Sequence, residues 1–340
     1  MPQGVPASHK EERMLKFLKT MATAAAFAAL SWQAASAQAI EKTDITIGLP
    51  LNTSTLLPIY VADAKGFFKE EGVNVKVVAF KGGTDLVRGM VAGAVDIGVG
   101  AFSEALVGVE TGQGVKIFYG GFNMAVFDWY AVPSIKTLEE AKGKRFGIST
   151  FGSSTDFLTR YALKTKGIDP KSQVQIVQGG GSVPRLAAME AGQLEVNIFA
   201  TPEKFMAADR GFNLILQQKS IAPDFPFHVF YAREDFIKND PNAIKAVLRG
   251  FAKAVRWAKA NKEESVKLLA SKLGLEETYL SRGYDDFMDE IFEDGRMPSE
   301  AGMKTFWDIG IMNGSYKEPM PLDKYWVGTF HDTYNEWKPK

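Results

Sequence analysis

Short hydroxyl side chains, gathered where strands hand over to helices, are the residues of this sequence best placed to do chemistry. Residues 145–168, RFGISTFGSSTDFLTRYALKTKGI, read as a short apolar strand, a Gly152-Ser153-Ser154-Thr155 turn and an amphipathic helix. Phe157, Leu158, Tyr161 and Ala162 share one helical face, and Gly167 sits where a C-cap belongs. Ser153 with Asp156 has the form of a capping box in which Asp replaces Glu. The free N–H groups and partial positive charge of such a helix start suit an anionic or carbonyl-bearing ligand. For one such turn alone, a capped helix with nothing bound is the plainer account. A second copy, Asn52-Thr53-Ser54-Thr55, follows an earlier strand and strengthens the ligand reading, although three adjacent hydroxyls cannot all face one cleft.

Other candidates carry charge or aromatic rings. Glu104 and Glu203 could act as general acid and base, or hold a cation, but a favoured acid in the first helical turn is the plainer account. Lys81 and Arg185 could pair with an anion, yet long charged side chains are mostly solvated. Phe127, Trp129 and Tyr130 could wall a planar ring. His228 could donate to a ligand or serve as a satisfied structural residue. The sequence leaves open which of these five charged or titratable residues touches a ligand.

Composition narrows the chemistry. With no cysteine there are no disulfides, thiol nucleophiles or Cys-based zinc sites, and three scattered histidines make no metal site. No cofactor or metal is expected. Lys+Arg and Asp+Glu are equal at 40 each, without long charge runs, so nucleic acid and anionic membrane surfaces are poor partners. Lys16 and Lys19 precede the apolar run Met21–Leu30, and Ala35-Ser36-Ala37 has the form cut by signal peptidase. Cleavage is expected after Ala37, with Met1 or Met14 as the start, so the product is an exported protein.

The elements that must position these residues alternate strand and helix from Ile45, which argues for an α/β fold with parallel strands. The pattern repeats with a constant displacement of 99 residues: Gly48 matches Gly147, Ser54 Ser153, Gly82 Gly181, Met90 Met189 and Glu104 Glu203. Two similar lobes follow from a repeat of this size. Extended, proline-containing segments at Asp128–Ser134 and Ala222–His228 read as two crossings between lobes, making a hinge over a ligand cleft. Beyond them Asp240-Pro241 opens a helix with an apolar stripe of Ile244, Val247, Leu248, Phe251 and Val255, a packing face. The expected organisation is a signal peptide (1–37), the first part of lobe one (38–131), lobe two (132–227), and a return to lobe one with C-terminal helices (228–340).

The run PIYVADAKGFFKEEGVNVKVVAFKGGTDLVRGMVAGAVDIGVG, together with LEEAKGKRFGI at the opening of lobe two, resembles the solute-binding proteins of nitrate, alkanesulfonate/taurine and bicarbonate ABC importers. The enzyme that makes the thiamine pyrimidine precursor shares that fold. The resemblance spans about residues 44–315 and implies a type II periplasmic binding fold, two lobes closing on a small molecule, and delivery to a membrane permease and its ATPase. It implies a monomer in the periplasm. By position it carries the ligand contacts to Thr53, Ser54, Thr55, Gly83, Thr84, Phe102 and Ser103 in lobe one. In lobe two it carries them to Ser153, Ser154, Thr155, Gly181, Ser182 and Thr201. Trp129 joins them as the aromatic wall. The pyrimidine-precursor enzyme uses a cysteine-rich, metal-binding motif that this chain lacks, so a binder is expected and not an enzyme. An exported ligand sensor of the same fold is the alternative. A small organic anion (sulfonate or carboxylate) or a heterocycle is expected over nitrate, because a bare inorganic ion needs no aromatic wall.

Overall fold

The computed structural model describes residues 39–340; the expected signal peptide and its cleavage site lie outside the described residues. Ten strands are present among them: β1 (Asp44–Leu49), β2 (Asn74–Ala79), β3 (Ile97–Ala101), β4 (Val115–Asn123), β5 (Asp128–Ala131), β6 (Arg145–Ile148), β7 (Gln175–Gln178), β8 (Val196–Phe199), β9 (Asn213–Gln217) and β10 (Pro226–Arg233). They form two five-stranded sheets, β2-β1-β3-β10-β4 and β7-β6-β8-β5-β9, within one compact body spanning Ile40–Lys340. β1 lies parallel to β2 and β3, and β6 parallel to β7 and β8. Each sheet also holds one antiparallel strand, β10 in the first and β5 in the second, so neither is purely parallel as the alternation had suggested.

Those two strands each follow directly on a crossing between the lobes. β5 is hydrogen-bonded on both sides to β8 and β9, which places Asp128–Ala131 in lobe two. The first crossing therefore falls at 124–127 and not after Ala131, because a strand with two partners cannot also serve as the linker. The return is complete by Pro226, where β10 pairs with Asn123 of β4, so the second crossing lies at 222–225, just ahead of the expected boundary.

The sequence repeat has a packing cause. A Cβ on Gly48 would stand 2.3 Å from Leu86 Cδ1 and 2.9 Å from Val95 Cγ1, and one on the matching Gly147 would stand 2.7 Å from Leu194 Cδ1. Leu194 is the 99-residue counterpart of Val95, so both lobes lay a helix-to-strand connection against the same bare backbone.

Lobe one carries α1 (Leu57–Ala64), α2 (Phe67–Glu70), α3 (Gly83–Val91) and α4 (Phe102–Glu110). Lobe two carries α5 (Ser154–Thr165), α6 (Ser182–Glu190) and α7 (Glu203–Asp209). After the return come α8 (Glu234–Asn239), α9 (Pro241–Ala260), α10 (Lys262–Leu273), α11 (Glu277–Phe287) and α12 (Glu300–Asn313). The stripe Ile244, Val247, Leu248, Phe251 and Val255 of α9 is buried, worth roughly 1.5–3 kcal/mol for each large side chain. Gly250 on the same helix leaves room for the Phe68 ring of α2. α12 reaches lobe two: Phe306 stacks on Phe157 of α5 at 4.9 Å, and Asn313 Nδ2 donates to the Phe157 carbonyl at 2.9 Å. α11 packs Gly283 against Thr201 and Pro202. Among the described residues no helix is long and apolar enough to cross a membrane.

Candidate functional site

A cavity of about 290 Å³ opens between the lobes at the carboxyl ends of the parallel strands, where open α/β sheets take ligands. Lobe one lines it with Pro50–Thr53 after β1, Gly82 and Gly83 after β2, and Ala101 and Glu104 after β3. Lobe two supplies Ser149 and Ser153–Thr155 after β6, Gly181–Arg185 after β7, and Ala200 and Glu203 after β8. The first crossing adds Phe127, and the start of β10, just past the second crossing, adds Phe227 and His228; the two phenyl rings meet edge-to-face at 5.2 Å. The lobes touch beside the cavity: Ser54 Oγ donates to the Thr201 carbonyl (2.7 Å), and Thr84 Oγ1 to the Phe151 carbonyl (3.2 Å).

Of the residues expected from sequence to contact ligand, Thr53, Gly83, Ser153, Ser154, Thr155, Gly181 and Ser182 line the cavity. The others do not, each for a physical reason. Ser54 and Thr55 lie in a buried 3-10 turn, where Ser54 bridges to lobe two and Thr55 Oγ1 stands 3.2 Å from His228 Nε2. Thr84 points to Phe151 outside the cavity. Phe102 is fully buried and packs edge-on against Phe306, Trp307 and Tyr325. Ser103 is buried, with no hydrogen-bond partner for its hydroxyl. Thr201 is buried behind the wall against Gly283. Trp129 is core: its indole N–H donates to Thr159 Oγ1 at 3.1 Å, and Phe127 is the aromatic residue that lines the cavity. Lys81 is exposed and outside the lining.

The capped turn of lobe two forms as its sequence indicates. Ser153 caps α5 by accepting from the Asp156 N–H, while Asp156 Oδ2 accepts from the Gly152 N–H at 2.9 Å. Ser149, Ser153 and Thr155 form a closed hydroxyl network with contacts of 2.8–2.9 Å. The lining turn is thereby tied together at the start of α5.

Buried titratable groups dominate the electrostatics. Burial pushes the Glu104 carboxyl up to about 7, against the pull of the Ala101 N–H that donates to Oε2 at 3.1 Å. Burial likewise raises Glu203 to about 7, opposed by its own backbone N–H and by the Arg185 charge. Arg185 is lowered to about 10 by burial, with Glu203 opposing, and so stays cationic. It donates to the carbonyls of Gly180 (3.0 Å) and Ile198 (2.6 Å) and to the Asn197 side chain. Burial pushes His228 down to about 3, leaving a neutral imidazole at physiological pH. Immediately after Glu203, the buried Lys204 turns away from the cavity to Asp128 of β5 (3.2 Å) and Asp286 of α11 (2.7 Å). Among the described residues no group of three or more His, Cys, Asp or Glu is placed to hold a metal ion.

Residues 38–271 match the model of the NMT1-like family. The chain belongs to that family. It is 24% identical over 230 residues to YtlA of Bacillus subtilis (strain 168), named as a binding protein, with 62% of this chain and 64% of that one covered. The chain thus matches a little under two thirds of that relative's length. In three dimensions a protein of Bordetella bronchiseptica RB50 superposes with a TM-score of 0.77 at 24% identity, covering 88% of this chain and 99% of that one. The alkanesulfonate-binding protein SsuA of Xanthomonas axonopodis pv. citri, solved with MOPS bound, superposes with a TM-score of 0.69 at 16% identity, covering 83% and 96%. These likenesses establish the two-lobed periplasmic-binding fold for this NMT1-like chain.

Sequence reasoning left Glu104, Glu203, Arg185 and His228 of this NMT1-like chain on the bland side, and all four line the cavity. The repeat itself held the signal for the acids, since Glu104 and Glu203 are exact counterparts at a displacement of 99. Ser149 was missed although it directly follows β6, where the strand-end rule points.

Proposed function

We propose that this chain is the solute-capturing component of an ABC importer, working in the periplasm as a monomer and handing its cargo to a membrane permease driven by an ATPase. The observation that carries this reading is the cavity: both lobes wall it together with Phe127 of the first crossing, and it lies at the strand ends of two repeated α/β units. A solute bound there contacts both lobes at once, so binding energy goes into closing them, and the closed form is what a permease distinguishes. SsuA, which shares the fold, is an alkanesulfonate-binding protein, and YtlA carries the name of a binding protein. The chain is read as a binder and not as a catalyst, with the walls serving recognition.

The test is thermal unfolding of the purified protein against sulfonates, carboxylates, amines, amidines and pyrimidines, with mass spectrometry of whatever solute is released on denaturation. A solute at 100 times its dissociation constant stabilises the native state by about 2.7 kcal/mol. A specific stabilising solute, abolished by blocking the cavity, is the expected result. A protein that releases nothing and responds to nothing overturns the reading.

A further inference from the structure

The charged groups around the cavity differ in what they have left to offer a solute. Arg185, the obvious anion partner, has Nε and Nη1 engaged by the Gly180 and Ile198 carbonyls and by Asn197, and Nη2 donates to the Ser182 hydroxyl at 3.3 Å. The hydroxyls of Ser149, Ser153 and Thr155 are bonded to one another. Glu203, only 8% exposed, lines the cavity, forms no ion pair, and receives no hydrogen bond from another side chain among the described residues. Glu104, 5% exposed, faces it from the other lobe with one oxygen engaged by the Ala101 N–H.

Two buried acids in one cavity are costly to keep unless something compensates them. Their placement is also built in. A Cβ on Gly83 would stand 1.7 Å from the Glu104 carboxyl carbon, so Glu104 reaches its position only because residue 83 has no side chain. The Phe127 and Phe227 rings line the same cavity, and aromatic faces favour a flat body and a positive charge.

We propose that the cavity selects a small planar solute that is cationic or rich in N–H donors, held between Glu104 of lobe one and Glu203 of lobe two, in preference to an oxyanion. The inference rests on the solute-capture reading and narrows its cargo. Amidinium and amino-heterocycle groups fit because their N–H donors lie in one plane and pair with a carboxylate in a charge-assisted, two-point contact. Ser154 lines the same cavity, and Ser182, whose oxygen accepts from Arg185 Nη2 at 3.3 Å, keeps its own proton for an acceptor on the same solute.

The test uses two probes of one ring size and opposite charge, benzamidine and benzenesulfonate, titrated calorimetrically into the purified protein at pH 8. Benzamidine is expected to bind with one site, at least about tenfold tighter than benzenesulfonate. Glu203→Gln and Glu104→Gln are each expected to weaken benzamidine about tenfold or more while leaving the circular dichroism unchanged. Should Glu203→Gln fail to fold, Glu203→Asp, which keeps the charge and withdraws it, is expected to lose affinity in the same direction. The inference is overturned if benzenesulfonate binds as tightly as benzamidine, if neither glutamine variant changes benzamidine binding, or if neither probe saturates at millimolar concentration. A co-purified solute identified as an oxyanion also overturns it while leaving the capture reading standing, and a protein that retains no solute and responds to none defeats the capture reading itself.

Discussion

The two lobes share one plan and differ in how they tolerate a buried acid. Lobe one places Glu104 against bare backbone at Gly83, supports it with the Ala101 N–H, and fills the space behind with Leu86. Lobe two has Ser182 where lobe one has Gly83, and Arg185 where lobe one has Leu86. Glu203 thus shares its wall with a cation that Glu104 lacks, although burial raises both acids to about 7. Duplicated topology fixes where a side chain starts, and local packing decides whether it lines the cavity or becomes core.

The strongest test of this contrast is Arg185→Met. It leaves the Gly180 and Ile198 carbonyls and the Asn197 side chain without their donor, and should cost about 3 kcal/mol of stability in urea unfolding. An unchanged midpoint would show that the guanidinium is dispensable and that the lobes differ less than argued. Gly83→Ala comes next, since its methyl group overlaps the Glu104 carboxyl; a loss of about 2 kcal/mol is expected. Ser182→Ala at the matching position should shift stability by only about 0.5 kcal/mol, because the structure already accommodates a side chain there.

The acids also set a pH dependence. A carboxyl raised to about 7 in the fold binds its proton more tightly than in the unfolded chain. Its contribution is fully present below the unfolded value of about 4.5 and is lost as pH rises through about 7, by up to about 1.4 kcal/mol per unit for each group. His228, lowered to about 3, acts oppositely: its contribution is lost as pH falls below the unfolded value of about 6.5. Between pH 6.5 and 7.5 the acids therefore dominate, and the solute-free protein should weaken as pH rises. In Glu104→Gln/Glu203→Gln that decline should flatten, and an identical slope in both proteins would assign the titration elsewhere. An equally small effect is expected from Thr84→Val, which removes one exposed interlobe hydrogen bond; a loss of about 0.5 kcal/mol is anticipated from thermal unfolding.

The fold was legible because its signals are backbone-level. Gly48 and Gly147 mark one close approach made twice, and Asp240-Pro241 starts a long helix. The crossing before β5 was misplaced by a few residues because Asp128–Ala131 looks extended whether it links lobes or pairs within one. The site was legible to the level of the strand end and no finer. Thr53 and Thr55 are two residues apart, yet one lines the cavity and the other turns to His228, a choice made by a partner 173 positions away. Trp129 went to the core for a similar reason: the indole finds Thr159 across the lobe. Glu203 was discounted because an acid is favoured in the first turn of a helix with or without a ligand, and nothing local tells that such an acid is buried in a cavity wall.

One feature of α7 links recognition to motion. Its first turn carries Glu203 facing the cavity and, one residue on, Lys204 gripping the start of β5 and the side of α11. One short turn thus ties the cavity wall to β5 and α11, next to the point where the chain has just crossed between lobes. Substituting Asp286 would slacken the far end without touching the cavity, so cargo residence time would change while the chemistry that recognises the cargo stayed the same.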